Sequence, residues 1–194
     1  MSEVGRMMLA GKRVLDVIGS RQVVVAVIAA ITGLYYLIVA VTNCADTDTN
    51  RRGVAAVLSM QHTIHSEGTN WRAITNSTVV LVVYILIVAW EYLIAFALLA
   101  GAAITIPVAL GRTRQDSMAV AWKLCSIGWT MAIVLFLGGF LTIAGEWFRM
   151  WANKDVNASS AALQNFLIAA VGLILLHLQP STASSISKPQ LPES

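Results

Sequence analysis

Charge is scarce in this chain: 12% of its 194 residues are Asp, Glu, Lys or Arg, against 57% that are hydrophobic. That shortage, with a mean hydropathy of +0.72, excludes an ordinary soluble domain, where about a quarter of residues are charged. Cysteine is rare too. Cys44 and Cys125 fall near opposite ends of the apolar runs described below, so no disulfide is expected between them. The net charge of +3 gathers into no cluster or stripe, which argues against a nucleic-acid partner and leaves membrane flank charges as the reading. Nucleophile elbows, phosphate loops and zinc-protease motifs are missing as well. No catalytic residue, metal site or cofactor is expected, and the chain reads as non-enzymatic.

What is there is long apolar sequence. Four segments reach the length of about 20 residues that a bilayer crossing needs: 22–42, 78–100, 118–143 and 161–178. The expected fold is all-α, a four-helix transmembrane bundle over 22–178 with an amphipathic N-terminal helix and a long first extramembrane loop. Within 1–21, Met7, Met8, Val14, Leu15 and Ile18 share one helical face and Lys12, Arg13 and Asp16 the other, the pattern of an interfacial helix. The run that follows is too long for a signal peptide, so the first span is expected to be retained. The second span continues through "GAAITIPVAL". A straight helix to residue 110 would measure about 48 Å, so it must tilt, protrude, or turn near Gly101 or Pro107. In the 43–77 loop, a cap at Thr49 or Asn50 followed by Val54, Val57 and Leu58 predicts a short helix on the bilayer. The tail over 179–194, rich in Ser and Pro, has nothing to bury and is expected to be disordered.

Orientation follows from the basic residues. Seven (Arg6, Lys12, Arg13, Arg21, Arg112, Arg114, Lys188) flank one side and five (Arg51, Arg52, Arg72, Arg149, Lys154) the other, which favours cytoplasmic termini. The second half of the chain does not repeat the first, so the duplication common in transporters is not visible.

Two charges sit where charge is costly. Glu91, in "VAWEYLIAF", and Lys123, in "VAWKLCSIGW", lie about 13 Å and 9 Å from the cytoplasmic boundary if the second and third spans end side by side. An ion pair between them is expected. It reads first as a structural pin that sets helix register, and second as an ion or proton site. His177 near the end of the last span reads as interfacial. His62 and His65, in "QHTIH", have helical spacing but lack the further ligands that a metal site needs.

Several polar stretches converge on the other face: "TNCADTDTN", "NWRAITN" and "GEWFRMW". Trp71, Trp147 and Trp151 are expected to form an aromatic belt there. Asn43, Asp46, Asn50, Arg72, Glu146 and Arg149 are expected to form a polar cap, with Glu146 and Arg149 paired at helical spacing or joined to Arg72 and Asp46.

Taken in order, Asn43, Asp46, Asn50, "VLSM" at 57–60, Thr63, "WRAI" at 71–74, "AWE" at 89–91, Lys123, "GEWFRMW" and Asn157 resemble a bacterial family of predicted small integral membrane proteins, a domain of unknown function. The resemblance runs from about residue 20 to about residue 175. It implies a four-helix protein of the bacterial inner membrane and implies no activity. The sequence departs from the family pattern at "QHTIH", which puts a shared metal site in doubt. The expected function is that of a non-enzymatic accessory or structural subunit of an inner-membrane assembly. The alternative is a transporter or channel component that uses Glu91 and Lys123. The expected partners are the lipid bilayer and, within it, another membrane protein or further copies of the chain. Small residues such as Ala29, Gly33, Gly138 and Gly139 are spaced for helix-to-helix contact.

Overall fold

The computed structural model describes residues 3–64, 66–110 and 116–178. The expected disorder of 179–194, and His65, lie outside these residues. The chain is helical along its described length. An amphipathic helix α1 (Glu3–Ile18) precedes α2 (Arg21–Ala45), and α3 (Thr47–Leu58) follows α2 across the single residue Asp46. A one-turn α4 (Glu67–Asn70) leads to α5 (Ser77–Ala109), and α6 (Ser117–Ile133) continues without a break into a π-helical stretch (Val134–Trp147). After a short 3₁₀ turn (Met150–Ala152), α7 (Ser159–His177) closes the bundle. Four of these helical runs, α2, α5, α6 with its π-helical continuation, and α7, are long and apolar enough to cross a membrane.

Local chemistry sets most of the helix starts. Ser20 accepts from the Val23 amide at 3.4 Å, and Asn76 accepts from Thr78 and Val79 at 2.9 and 3.2 Å. Asn157 accepts from the Ser159 amide at the start of α7. Each side chain satisfies an amide that the first turn of a helix leaves orphaned. The start of α3 corrects the sequence reading. The cap is Asp46, whose carboxylate accepts from the Thr49 amide at 3.4 Å and whose own amide bonds to Thr42 O at 2.9 Å. One residue therefore ends α2 and begins α3, three residues earlier than a cap at Thr49 would allow.

The spans are keyed together by glycine. A Cβ on Gly33 would lie 2.9 Å from the Leu99 side chain, one on Gly101 2.5 Å from Cys125 Sγ, and one on Gly128 2.7 Å from Leu98 Cγ. Close backbone approach of this kind replaces the hydrophobic drive that lipid removes. It also explains why Gly101 does not turn α5. Gly101 is the contact point with α6, and Pro107 falls in the last turn, where a missing amide removes one bond near the helix end. α5 thus runs uninterrupted for 33 residues, about 50 Å. Between the helices, Tyr36, Phe136 and Phe140 stack with centroids 5.8 and 5.5 Å apart. Asn165, buried in α7, donates to Ala161 O at 2.9 Å and to the Tyr35 hydroxyl at 3.3 Å.

A second, smaller core closes one end. Val57 and Leu58 of α3, Met60, Val80 of α5, and Phe148 and Met150 bury against one another. The chain reaches this arrangement through two left-handed residues, Met60 (φ 53°) and Arg149 (φ 57°). Asn153, 5% exposed, ties it to α3 by donating to Ala56 O at 3.2 Å while accepting from the amides of Asp155 and Val156. His62 and Asp155 form an ion pair when the histidine is protonated, on the outer side of the same junction.

Candidate functional site

The intramembrane acid lies where α2 ends. Glu91, 4% exposed, accepts from Asn43 Nδ2 at 2.6 Å. The backbone carbonyl of Asn43 in turn accepts from the Tyr84 hydroxyl at 2.5 Å. Just over two turns past Tyr84 on α5, Tyr92 donates to Cys44 Sγ at 3.7 Å. Tyr84 and Tyr92 therefore grip the last turn of α2 from two heights on α5, with Glu91 between them. A shallow groove of about 330 Å³ runs outside this latch, between Cys44 and Thr47 on one side and Tyr84, Val88 and Tyr92 on the other. Glu91 does not line it.

The expected ion pair between Glu91 and Lys123 is not formed. Lys123 is exposed, and the ion pairs among the described residues are Arg51 with Asp48 and His62 with Asp155. Register is the cause. The sequence reading set the end of the second span near residue 100, but α5 continues to Ala109. Glu91 is then about 27 Å from the end of its helix and Lys123 about 9 Å from the start of α6. The packing agrees, since Gly101 lies beside Ala121 and Cys125, whereas Trp90, next to Glu91, donates to Met131 O at 2.9 Å. Lys123→Met is accordingly expected to change the thermal midpoint in detergent by no more than an exposed substitution does, about 0.5 kcal/mol in stability. A loss several times larger would restore the pair.

The other polar residues gather at the capped end, as carbonyl ties and not as the expected ion pairs. The Arg72 guanidinium stacks over the Trp147 ring at 4.3 Å and lies 5.7 Å from that of Trp71, while the two indoles meet edge to face at 5.7 Å. Arg72 also donates to Trp147 O at 3.4 Å, and Arg149 donates to Ile64 O at 3.1 Å. These contacts fasten the 59–76 loop to the end of the third span. Glu146 pairs with neither arginine, although all three were expected to close on one another. The helix stops at Trp147 and Arg149 is left-handed, so the i,i+3 geometry assumed for Glu146 and Arg149 does not exist. Asp46 and Asn50 are spent locally, since Asn50 Nδ2 donates to Asp46 O at 2.9 Å. Trp151 is exposed within the 3₁₀ turn. Sequence reasoning did not single out Asn153 or Asn165, although an asparagine inside the apolar "LQNFLIAA" was a visible signal.

The π-helical stretch is the other unforeseen feature. Its bonds run from residue i to i+5, as in Phe148 N to Ile143 O at 3.1 Å, and Thr142 Oγ1 follows the same spacing to Leu137 O at 2.8 Å. The switch from α6 falls just past Met131, the carbonyl taken by Trp90. Such widened segments are rare at this length and recur at functional sites. Gly138, inside it, has nothing within 4 Å of where a Cβ would stand.

Among the described residues no three His, Cys, Asp or Glu side chains are grouped to hold a metal. The family described as predicted small integral membrane protein (DUF2165) matches residues 21–179. Neither the curated proteins nor the solved structures hold a match to the chain.

Proposed function

The chain belongs to this family of predicted small integral membrane proteins, and from that premise we propose that it is a non-enzymatic accessory or structural subunit of an assembly in the bacterial inner membrane, with both termini cytoplasmic. One observation carries the reading. Four glycines, Gly33, Gly101, Gly128 and Gly172, are consumed by contacts inside the bundle, but Gly138 meets nothing. Its neighbours Val134 and Leu137 are exposed apolar residues. An open glycine flanked by apolar side chains on a spanning helix is the kind of notch into which a helix from another subunit packs. The inner-membrane placement and its orientation are supported by the family resemblance and by the seven-to-five division of basic residues.

The transport alternative rests on a Glu91–Lys123 pair, and Glu91 is instead engaged by the neutral amide of Asn43 and does not line the groove. The test is a capture experiment in native membranes with the tagged full chain, comparing wild type, Gly138→Leu and Lys123→Met. A partner retained by wild type and Lys123→Met but reduced about tenfold by Gly138→Leu supports the proposal. Equal capture by all three overturns it. Gly138→Cys separates a second copy from a different protein, since oxidation then yields a covalent dimer of the chain.

A further inference from the structure

A groove of about 540 Å³ opens at the capped end, lined by Arg72, Thr142, Ile143, Glu146, Trp147 and Phe148. It holds both a cation and an anion that leave each other unpaired. The Arg72 guanidinium has donors to spare, since its one drawn bond, from Nη1 to Trp147 O, is 3.4 Å long, and the buried Nε has no partner. Glu146 is exposed and makes no hydrogen bond or ion pair among the described residues. Below them Thr142 and Ile143, both exposed, continue along the spanning helix. Trp71 and Trp147 beside the groove are the ring type that settles at the level of lipid headgroups.

We propose that this groove is a binding site for a phospholipid with a zwitterionic headgroup, its phosphate on Arg72, its ammonium on Glu146 and the start of its acyl chain against Ile143 and Phe148. Charge complementarity chooses the occupant. Arginine matches phosphate oxygens with paired donors, and the stack on Trp147 holds the guanidinium in place. A free carboxylate lining the same groove would repel an anionic headgroup but satisfies an ammonium. A site for simple anions would have no use for Glu146, and a purely structural arginine would close on it. The apolar lower wall selects a lipid over a soluble phosphate ester.

The experiment is native mass spectrometry of the full chain released from mixed micelles that contain phosphatidylethanolamine and phosphatidylglycerol with identical acyl chains. Wild type is expected to retain the ethanolamine lipid over the glycerol lipid by about tenfold. Glu146→Gln, on an exposed residue without a hydrogen bond or ion pair among the described residues, is expected to fold normally and should bring that ratio to one or below it. Arg72→Gln should lower retention of both lipids, and Arg72→Lys should recover part of it. The thermal midpoint measured without added lipid separates these losses from misfolding. Equal retention of the two lipids by wild type, a preference for the glycerol lipid, or an unchanged ratio in Glu146→Gln would each overturn the proposal.

Discussion

Gly172→Ala is expected to destabilise the bundle by about 3 kcal/mol, at the upper end of what overpacking a core costs. The methyl would stand 2.7 and 2.8 Å from Cδ2 and Cζ2 of Trp129, and nearer still to Cε2. These are atoms of a rigid ring, not the end of a flexible chain. Trp129 has no surface exposed and sits in the main core with Cys125, Ala132 and Ala169, so it has nowhere to retreat. α7 must move away instead. Its loss would also strip the Ser126–His177 contact near its far end. Gly138→Ala is the matched control, because the same methyl enters open space there. It should be neutral or stabilise by up to about 1 kcal/mol through helix propensity. Thermal unfolding in detergent compares the two, and Trp129→Phe should recover part of the Gly172→Ala loss by removing the larger ring. Equal midpoints for both glycine variants would contradict the packing.

The second large effect is expected at Asn43. Asn43→Ala removes the donor that Glu91 uses and leaves a buried carboxyl group without a partner, at a cost of about 2–3 kcal/mol. For a chain of this size that corresponds to a fall in midpoint of about 4–12 °C. Glu91→Gln should be milder, since an amide oxygen accepts from Asn43 as a carboxylate oxygen does, and no cation has to be satisfied. The order of the two variants is the test. If Glu91→Gln is the more damaging, the acid has a charged partner after all.

The difference between these expectations and a Glu91–Lys123 pair shows what the sequence made legible. Long apolar runs announced four spans, and the placement of Trp71, Arg72, Glu146 and Trp147 at one end followed from topology alone. Depth did not follow. It rests on a span end near residue 100, whereas α5 runs on to Ala109, and those nine residues slide Lys123 away from Glu91 by more than two turns. Gly101 reads as a breaker in isolation and becomes a contact once α6 is against it, a distinction that only tertiary structure makes. The cap was legible only in part: Arg72 and Glu146 line one groove, but Asn43 turns to Glu91, and Asp46 and Asn50 bond within the start of α3. Glu146 and Arg149 are three apart on paper, and the left-handed backbone at Arg149 is set by the fold-back onto Met60, Phe148 and Met150. The π-helical stretch had no signal at all, because a shift from i+4 to i+5 bonding leaves composition and hydropathy unchanged.

The claim on which the account rests is that the membrane acid joins α2 to α5 through Asn43. A double-mutant cycle measures this directly, using the unfolding free energies of wild type, Asn43→Ala, Glu91→Leu and the double variant in the same detergent. The two losses should overlap, with a coupling energy of about 1–2 kcal/mol, the upper range for hydrogen bonds between membrane helices. Strictly additive losses would mean that the two side chains do not hold each other, and the latch between α2 and α5 would have to be abandoned.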